Sequence, residues 1–448
     1  MFLIDQQTLS DLNAIERSDN GLWNFFDHTV TVEGRYTVYR YFLNPLKSIE
    51  EIRNRQEAII YLAEADVDFP FDKFMMDDLE RYLSLPNEPY SENYFSYYLE
   101  KLSANMFSLS NKRIRQTIRR SVCEIAMLIR YLSELLESAV RQGRPVGVLN
   151  QFREDVLRLT EGLDVDELKK ISIEDIPLTL LIKYDYKFRN LKKNQVKSIF
   201  AILYELDALR GISISFIQRQ MIFPTFHHEN EPDMMLQIEG LYNLFIDNPI
   251  KNDIAIRREK NIWFLTGANM TGKSTLLKTV GTCVYLAHLG FPVPASRMNT
   301  QFFDGLLTTI NLADDIIAGH SHFFSEVLRI KKIANTLSEK QRMVIILDEA
   351  FKGTNYNDAY QATLTLIEHF ENMKSSIFFI SSHITELSSA IDKDRVELSY
   401  LKTETNDESN IKFTYQLVSG VAEEKLGMWL LQREKIFETL KSIGTRGN

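Results

Sequence analysis

The sequence predicts a mixed fold: an all-α N-terminal part, residues 1–233, then an α/β part, residues 234–448, built around a phosphate-binding loop. Three observations predict it. Apolar residues recur at three- and four-residue steps over two long stretches of the first part. Short apolar runs alternate with helical patterns in the second, which argues for a parallel sheet with helices packed on it. One of those runs leads into Gly267-Ala268-Asn269-Met270-Thr271-Gly272-Lys273-Ser274, which fits G-x-x-x-x-G-K-[ST].

A chain of 448 residues is long enough for two or three domains with a substantial core. Its hydrophobic and charged contents are those of a globular protein. No stretch reaches the roughly 18 apolar residues of a membrane-spanning helix, so no membrane partner is expected. The opening, MFLIDQQTLSDL, lacks a basic region before an apolar run and does not read as a secretory signal. Cys123 and Cys283 cannot build a disulfide framework and fit a reducing, cytoplasmic setting. The formal net charge of −9 argues against non-specific nucleic-acid binding by the whole surface. Two local basic stretches stand apart: Lys112-Arg113-Ile114-Arg115 with Arg119 and Arg120, and KFRNLKKNQVK at 187–197. Taken alone, such a cluster is more often a solvated helix face than a binding site.

Along the chain, residues 1–100 mix short helices with aromatic-rich stretches such as YSENYFSYY at 90–98. From about 111, Ile118, Val122, Ile125, Ile129, Leu132, Leu136 and Val140 mark one long amphipathic helix. Gly143, Pro145 and Gly147 end it. A second helix follows at about 148–160, then a weaker segment to Pro177. Another long helix spans about 194–220, with Ile199, Ile202, Leu203, Leu206 and Leu209 on one face. The long helices suit a protruding arm or a compact bundle equally. Pro224 and the polar run at 227–233 mark the boundary. Beyond it, Ile262–Leu265, Met343–Leu347 and Ile377–Ile380 each fit a strand buried on both faces. Residues 396–402 and 411–418, flanking TETNDESN, read as a hairpin.

The chemistry of the glycine loop explains its residue types. Glycines let the backbone curl and point N–H groups at phosphate oxygens. The following helix N-terminus adds a partial positive charge. Lys273 reaches the β- and γ-phosphates, and Ser274 offers a hydroxyl to Mg²⁺. Thr275 follows in the same turn. The partner carboxylate comes from Met343–Glu349: Asp348, at the end of an apolar run, suits the metal, and Glu349 suits the attacking water. Asp-Glu after a strand is also a common acidic helix start. His383, just past the run at 377–381, is placed to contact the γ-phosphate or the water. The expected cofactors are therefore ATP and Mg²⁺.

These segments resemble a known family. Adjacent Asp348-Glu349 with the trailing His383 is similar to ATP-binding-cassette ATPases, yet the LSGGQ signature of the transporters is missing. "TGANMTGKST" resembles the TGPNMxGKST loop of the MutS mismatch-repair family. Ala313-Asp314-Asp315 with Gly319–Glu326 resembles that family's SDD…GxSTFxxE. "DEAFKGTNYNDA" at 348–359 stands where the family has DELGRGTSxxDG, and "SSHITEL" at 381–387 where it has THYHEL. Tyr415, Leu417, Gly420 and Gly427 match its final YxLxxGxxxxxxG. "IDQQTLSDL" at 4–12, residues 26–59 and "YELDAL" at 204–209 resemble the family's core and lever domain.

The resemblance implies a helical core and lever domain joined to an ABC-type P-loop ATPase. It implies a homodimer through the ATPase domains, with Ser321 completing the site of the opposite subunit. It also implies a DNA partner, duplex or branched. Arg113, Arg115, Lys192 and Lys193 are the candidate phosphate contacts. Three departures stand out. Met1 lies almost at the start of the core-like region, so no mismatch-reading or connector domain is expected, and no mismatch preference. Residues 141–193 look short for a full DNA clamp. The C-terminal dimerisation helices look abbreviated. Milder changes are Ala350-Phe351-Lys352 for Leu-Gly-Arg and His322 for Thr. Two alternatives remain beside a mismatch-repair type ATPase: a DNA-structure or recombination factor, and a nucleotide-gated protein scaffold that does not bind DNA.

Overall fold

The computed structural model describes residues 2–18, 20–65, 67–85, 109–141, 143–172, 175–227, 233–311, 322–407, 410–422, 434–437 and 439. The chain divides into two compact units, and the division is not a single cut. One unit comprises Phe26–Tyr41 and Arg53–Gln218; the other comprises Met1–Phe25, Phe42–Ile52 and Arg219–Asn448. The fold is mixed helix and sheet, with two sheets among the described residues. Among the described residues no helix is long and apolar enough to cross a membrane.

The first unit is helical. Its longest helix, Leu109–Arg141, packs along Val148–Leu159, Lys73–Leu83 and Leu178–Tyr186. Ile118, Val122, Ile125, Ile129, Leu132 and Leu136 are all buried, so the periodicity marks the packed face. At the last turn Ala139 is the buried residue and Val140 is half-buried. The helix Lys193–Gln218 likewise buries Ile199, Ile202, Leu203, Leu206 and Leu209. A π-helical turn, Lys187–Leu191, precedes it. There Arg189 forks onto Asp185 at 2.8 and 2.7 Å, and the Tyr82 hydroxyl donates to the same carboxylate at 2.8 Å. This buried pair is satisfied on both sides. Lys192 and Lys193 follow it, both half-buried. Arg113 is exposed and Arg115 half-buried on the Leu109–Arg141 helix.

Among the described residues the second unit holds ten strands: β1 (Thr225–Phe226), β2 (Met234–Leu241), β3 (Asn252–Arg257), β4 (Ile262–Thr266), β5 (Arg297–Thr300), β6 (Gly305–Thr309), β7 (Met343–Asp348), β8 (Ile377–Ser382), β9 (Val396–Asp407) and β10 (Asn410–Ser419). The larger sheet has the order β10-β9-β4-β8-β7-β6. Its pairings are parallel except for the β9–β10 hairpin, which is antiparallel. Every residue of β4, β7 and β8 is buried, because helices cover both faces. Phe264, Ile345, Phe378 and Ile380 pack with Ile367 and Phe370 of the helix Tyr356–Phe370. The smaller sheet, β1-β5-β2-β3, was not foreseen from the apolar runs.

The N-terminus belongs to this unit. Leu3 bridges Gly305 of β6, and the helix Gln6–Asp11 lies against the same strand. The buried Asp11 carboxylate accepts from Thr308 Oγ1 at 2.6 Å and from the N–H groups of Ile310 and Asn311 at 3.0 Å each. Asp5 caps its helix and pairs with Arg329 and Lys332 of the helix His322–Glu339.

Candidate functional site

The register of the larger sheet brings three strand ends level. Thr266 of β4 faces Ser382 of β8, and Ser381 of β8 faces Asp348 of β7. The loop 267–272 leaves β4 there, Glu349 leaves β7, and His383 leaves β8. Ligands in open α/β sheets bind at such carboxyl ends.

The loop curls as its residues require. Gly272 has φ 100°, a left-handed value that L side chains rarely adopt, and a Cβ there would come within 3.2 Å of the Tyr415 ring. Met270 accepts a left-handed φ of 70°, with its side chain exposed. A non-glycine residue in that region costs on the order of 1 kcal/mol or more, a strain typical of ligand clamps. The helix Lys273–His288 then starts with no side-chain cap, so its first N–H groups face the loop's concavity.

Lys273 is 4% exposed. Its ammonium donates to the carbonyls of Gly267 at 2.7 Å and Ala268 at 2.9 Å, and pairs with Glu349 at 3.4 Å. Burial pulls Lys273 below the ordinary lysine range, and Glu349 opposes that shift. Burial alone would push the Glu349 carboxyl up. Lys273, Lys352 and His383 outweigh it and hold Glu349 below the usual carboxylate range. Asp348, 6% exposed, accepts a hydrogen bond from Ser381 Oγ. The same hydroxyl oxygen accepts from the Glu349 N–H at 3.1 Å.

A cavity of about 910 Å³ opens beside the loop. The loop residues Asn269, Met270 and Gly272 to Thr275 line it with Glu349 and Lys352, and apolar and aromatic groups, Tyr242, Ile246, Ile250 and Tyr415, line it as well. The register of β10 slips between Phe413 and Leu417, a bulge that turns Tyr415 toward the cavity. Asn252 fixes the bulge: it donates to the Tyr415 carbonyl at 3.1 Å and accepts from Leu417 N–H at 2.7 Å. Polar groups of the loop together with apolar and aromatic ones suit a molecule that carries both phosphates and a flat ring.

Asn269, Met270, Gly272 to Thr275 and Glu349 thus line one cavity; Asp348 lines a neighbouring one of about 220 Å³ and its charge acts on Lys273, and exposed His383 is close enough to act on Glu349. Arg113, Arg115, Lys192 and Lys193 belong to the helical unit. Ser321, Ala313–Asp315 and Gly427 lie outside the described residues. Sequence reasoning missed Ser381, Lys352 and Tyr415 as members of the site. Ser381 had a readable signal, a hydroxyl beside Ser382-His383 at a strand end. The register that sets it against Asp348 had none.

Comparison with known proteins matches the segment that carries this site. Residues 263–439 match the family model MutS domain V. The chain is 25% identical over 311 residues to the DNA mismatch repair protein MutS of Streptococcus sanguinis, covering 65% of this chain and 36% of the relative. For the MutS protein of Petrotoga mobilis the figures are 26% over 294 residues, 62% and 35%. For that of Bacillus cytotoxicus they are 24% over 312 residues, 69% and 34%. The chain spans about a third of the length of these curated relatives.

Proposed function

We infer the function from the premise that this chain belongs to the MutS family, carrying that family's domain V at residues 263–439. It is an ATPase that uses nucleotide binding and hydrolysis, in a homodimer, to control its hold on DNA. One observation carries the reading: the uncapped helix start, buried Lys273, Asp348 and Glu349 meet at the level ends of β4, β7 and β8. The domain division of residues 1–233 and 234–448 belongs to the same proposal, with the helical part as DNA-contacting core and lever.

The residues present fit ATP with Mg²⁺. The bare N–H groups and the buried ammonium suit the phosphates, while Tyr415 and Ile246 offer a surface for the base. Ser274 and Asp348 would hold the metal, which would neutralise charge on the β- and γ-phosphates. Lys273 must give up its 3.4 Å pair with Glu349 to meet the phosphate. Glu349 is then left with Lys352 at 3.2 Å and gains basicity as one neighbouring cation is claimed. That exchange readies the carboxylate to orient water when the nucleotide is in place. Ser381 keeps the Glu349 backbone and the Asp348 oxygen in register. His383 lies near enough to support the same carboxylate.

The pH profile of kcat/KM for ATP follows from these shifts. Glu349 is held below its ordinary value, so its charge is present throughout the neutral range and is lost only as pH falls through that lowered value. Lys273 is also held low, so the alkaline limb should fall below 10.5, the ordinary lysine value. An acid limb near neutrality, beyond the one set by the terminal phosphate of ATP itself, would assign the essential base to another group.

DNA binding would use phosphate contacts from Arg113, Arg115, Lys192 and Lys193, which carry no base information. Four such contacts give a slope of log affinity against log salt of about −3 to −4, and each alanine variant should reduce it by about 1. The net charge of −9 favours the rival reading, a scaffold that binds proteins and not DNA. A panel of homoduplex, mismatch, flap and four-way junction, titrated over salt with and without ATP, separates them. No salt-dependent binding to any member would overturn the DNA reading.

A further inference from the structure

We propose that Glu326 is a positioning residue for Glu349, locking the turn after β7 onto the first turns of the helix His322–Glu339. This rests on the reading of Glu349 as the group that orients water.

Two non-glycine residues, Glu349 at φ 50° and Phe351 at φ 64°, are left-handed in this turn. L residues hold such backbone only where their surroundings over-determine it. Upstream, the Glu349 N–H donates to both the carbonyl and the hydroxyl of Ser381, each at 3.1 Å. Downstream, the restraint comes from Glu326, which is 5% exposed. One of its oxygens accepts from Lys352 N–H at 3.1 Å, and the other accepts from Gly353 N–H at 3.2 Å. A buried carboxylate needs such donors, and a pair of adjacent amides meets both oxygens with a fixed direction.

Two further contacts close the lock. The Phe323 and Phe351 rings meet at a tilt of 55°, 6.4 Å between centroids. Gly353 sits so tightly on the helix that a Cβ would lie 2.6 Å from Phe323 N and 2.8 Å from its Cα. Between these fixed points the turn carries Glu349 and Lys352, whose side chains pair at 3.2 Å on the cavity wall. Glu326 therefore acts on both through the turn; it lines the smaller cavity that Asp348 also lines and not the one beside the loop. A purely stabilising role would leave turnover per bound nucleotide unchanged. A positioning role lowers kcat at constant affinity.

The isosteric variant Glu326→Gln turns one acceptor into a donor facing an N–H. Gly353→Ala wedges the same turn away from Phe323 and leaves the carboxylate in place. In both variants the backbone amides at positions 352 and 353 should exchange hydrogen about tenfold faster or more, with β7 unchanged. Mg²⁺-ATP affinity should stay within about threefold of wild type. Turnover should fall about tenfold or more. Unchanged exchange, wild-type turnover, or affinity falling in step with turnover would each overturn the proposal. Wild-type protein without turnover would defeat the ATPase reading instead, and the exchange data would still decide whether Glu326 holds the turn.

Discussion

Replacing Lys273 with alanine is expected to abolish ATP turnover and to weaken nucleotide binding. The side chain is 4% exposed, and its ammonium is already aimed at the loop's concavity by the carbonyls of Gly267 and Ala268. A fixed cation in a water-poor site acts on phosphate charge far more strongly than a mobile one in solvent. Its removal should lower kcat by about 10²- to 10³-fold, the scale of losing one preorganised electrostatic group. Affinity for Mg²⁺-ATP should fall about tenfold or more, which is about 1.4 kcal/mol. Circular dichroism should show the variant folded, so that the loss is one of the site and not of the protein. Normal turnover in Lys273→Ala would remove the phosphate-loop assignment.

The second large effect concerns Glu349→Gln. This change keeps shape and hydrogen-bonding capacity but removes the charge that Lys273, Lys352 and His383 hold ionised. ATP should still bind, because the loop, Ser274 and Asp348 are untouched. Hydrolysis should drop by about 10²-fold or more, the range for a positioned acid–base group. The bound, unhydrolysed state should accumulate. If a second subunit covers the γ-phosphate, light scattering should show this variant more dimeric with ATP than without. A monomer in every nucleotide state would refute the shared site. Full hydrolysis by Glu349→Gln would mean that His383 or another group orients the water.

Much of this arrangement was legible in the sequence, for identifiable reasons. β4, β7 and β8 are buried on both faces, so they appear as unbroken apolar runs. The long helices Leu109–Arg141 and Lys193–Gln218 advertise themselves by period. The glycine loop is legible because backbone chemistry fixes its residue types. The smaller sheet was not. β2 buries residues without clean alternation, and in the larger sheet β6 contains a glycine and two threonines yet is fully buried. Tertiary neighbours decide such segments. Gly305 is a strand residue because it pairs with Met343 of β7, with Leu3 bridging it from the far end of the chain. The end of β6 is satisfied by Asp11, whose role no local pattern announces. Membership of the site was hidden for the same reason. Tyr415 reaches the cavity through a bulge fixed by Asn252, and Glu326 acts on a turn 26 residues away. Spacing reports what one element does by itself. It is silent on which buried oxygen ends beside which amide.

The central claim is that this site hydrolyses ATP. The direct measurement is phosphate release by the purified chain, wild type and Glu349→Gln in parallel, with Mg²⁺ present and with Mg²⁺ chelated. The expected result is Mg²⁺-dependent release by wild type, reduced about 10²-fold or more in the variant while ATP binding persists. Equal release by the two proteins, or none by wild type under conditions where it binds ATP, would contradict it.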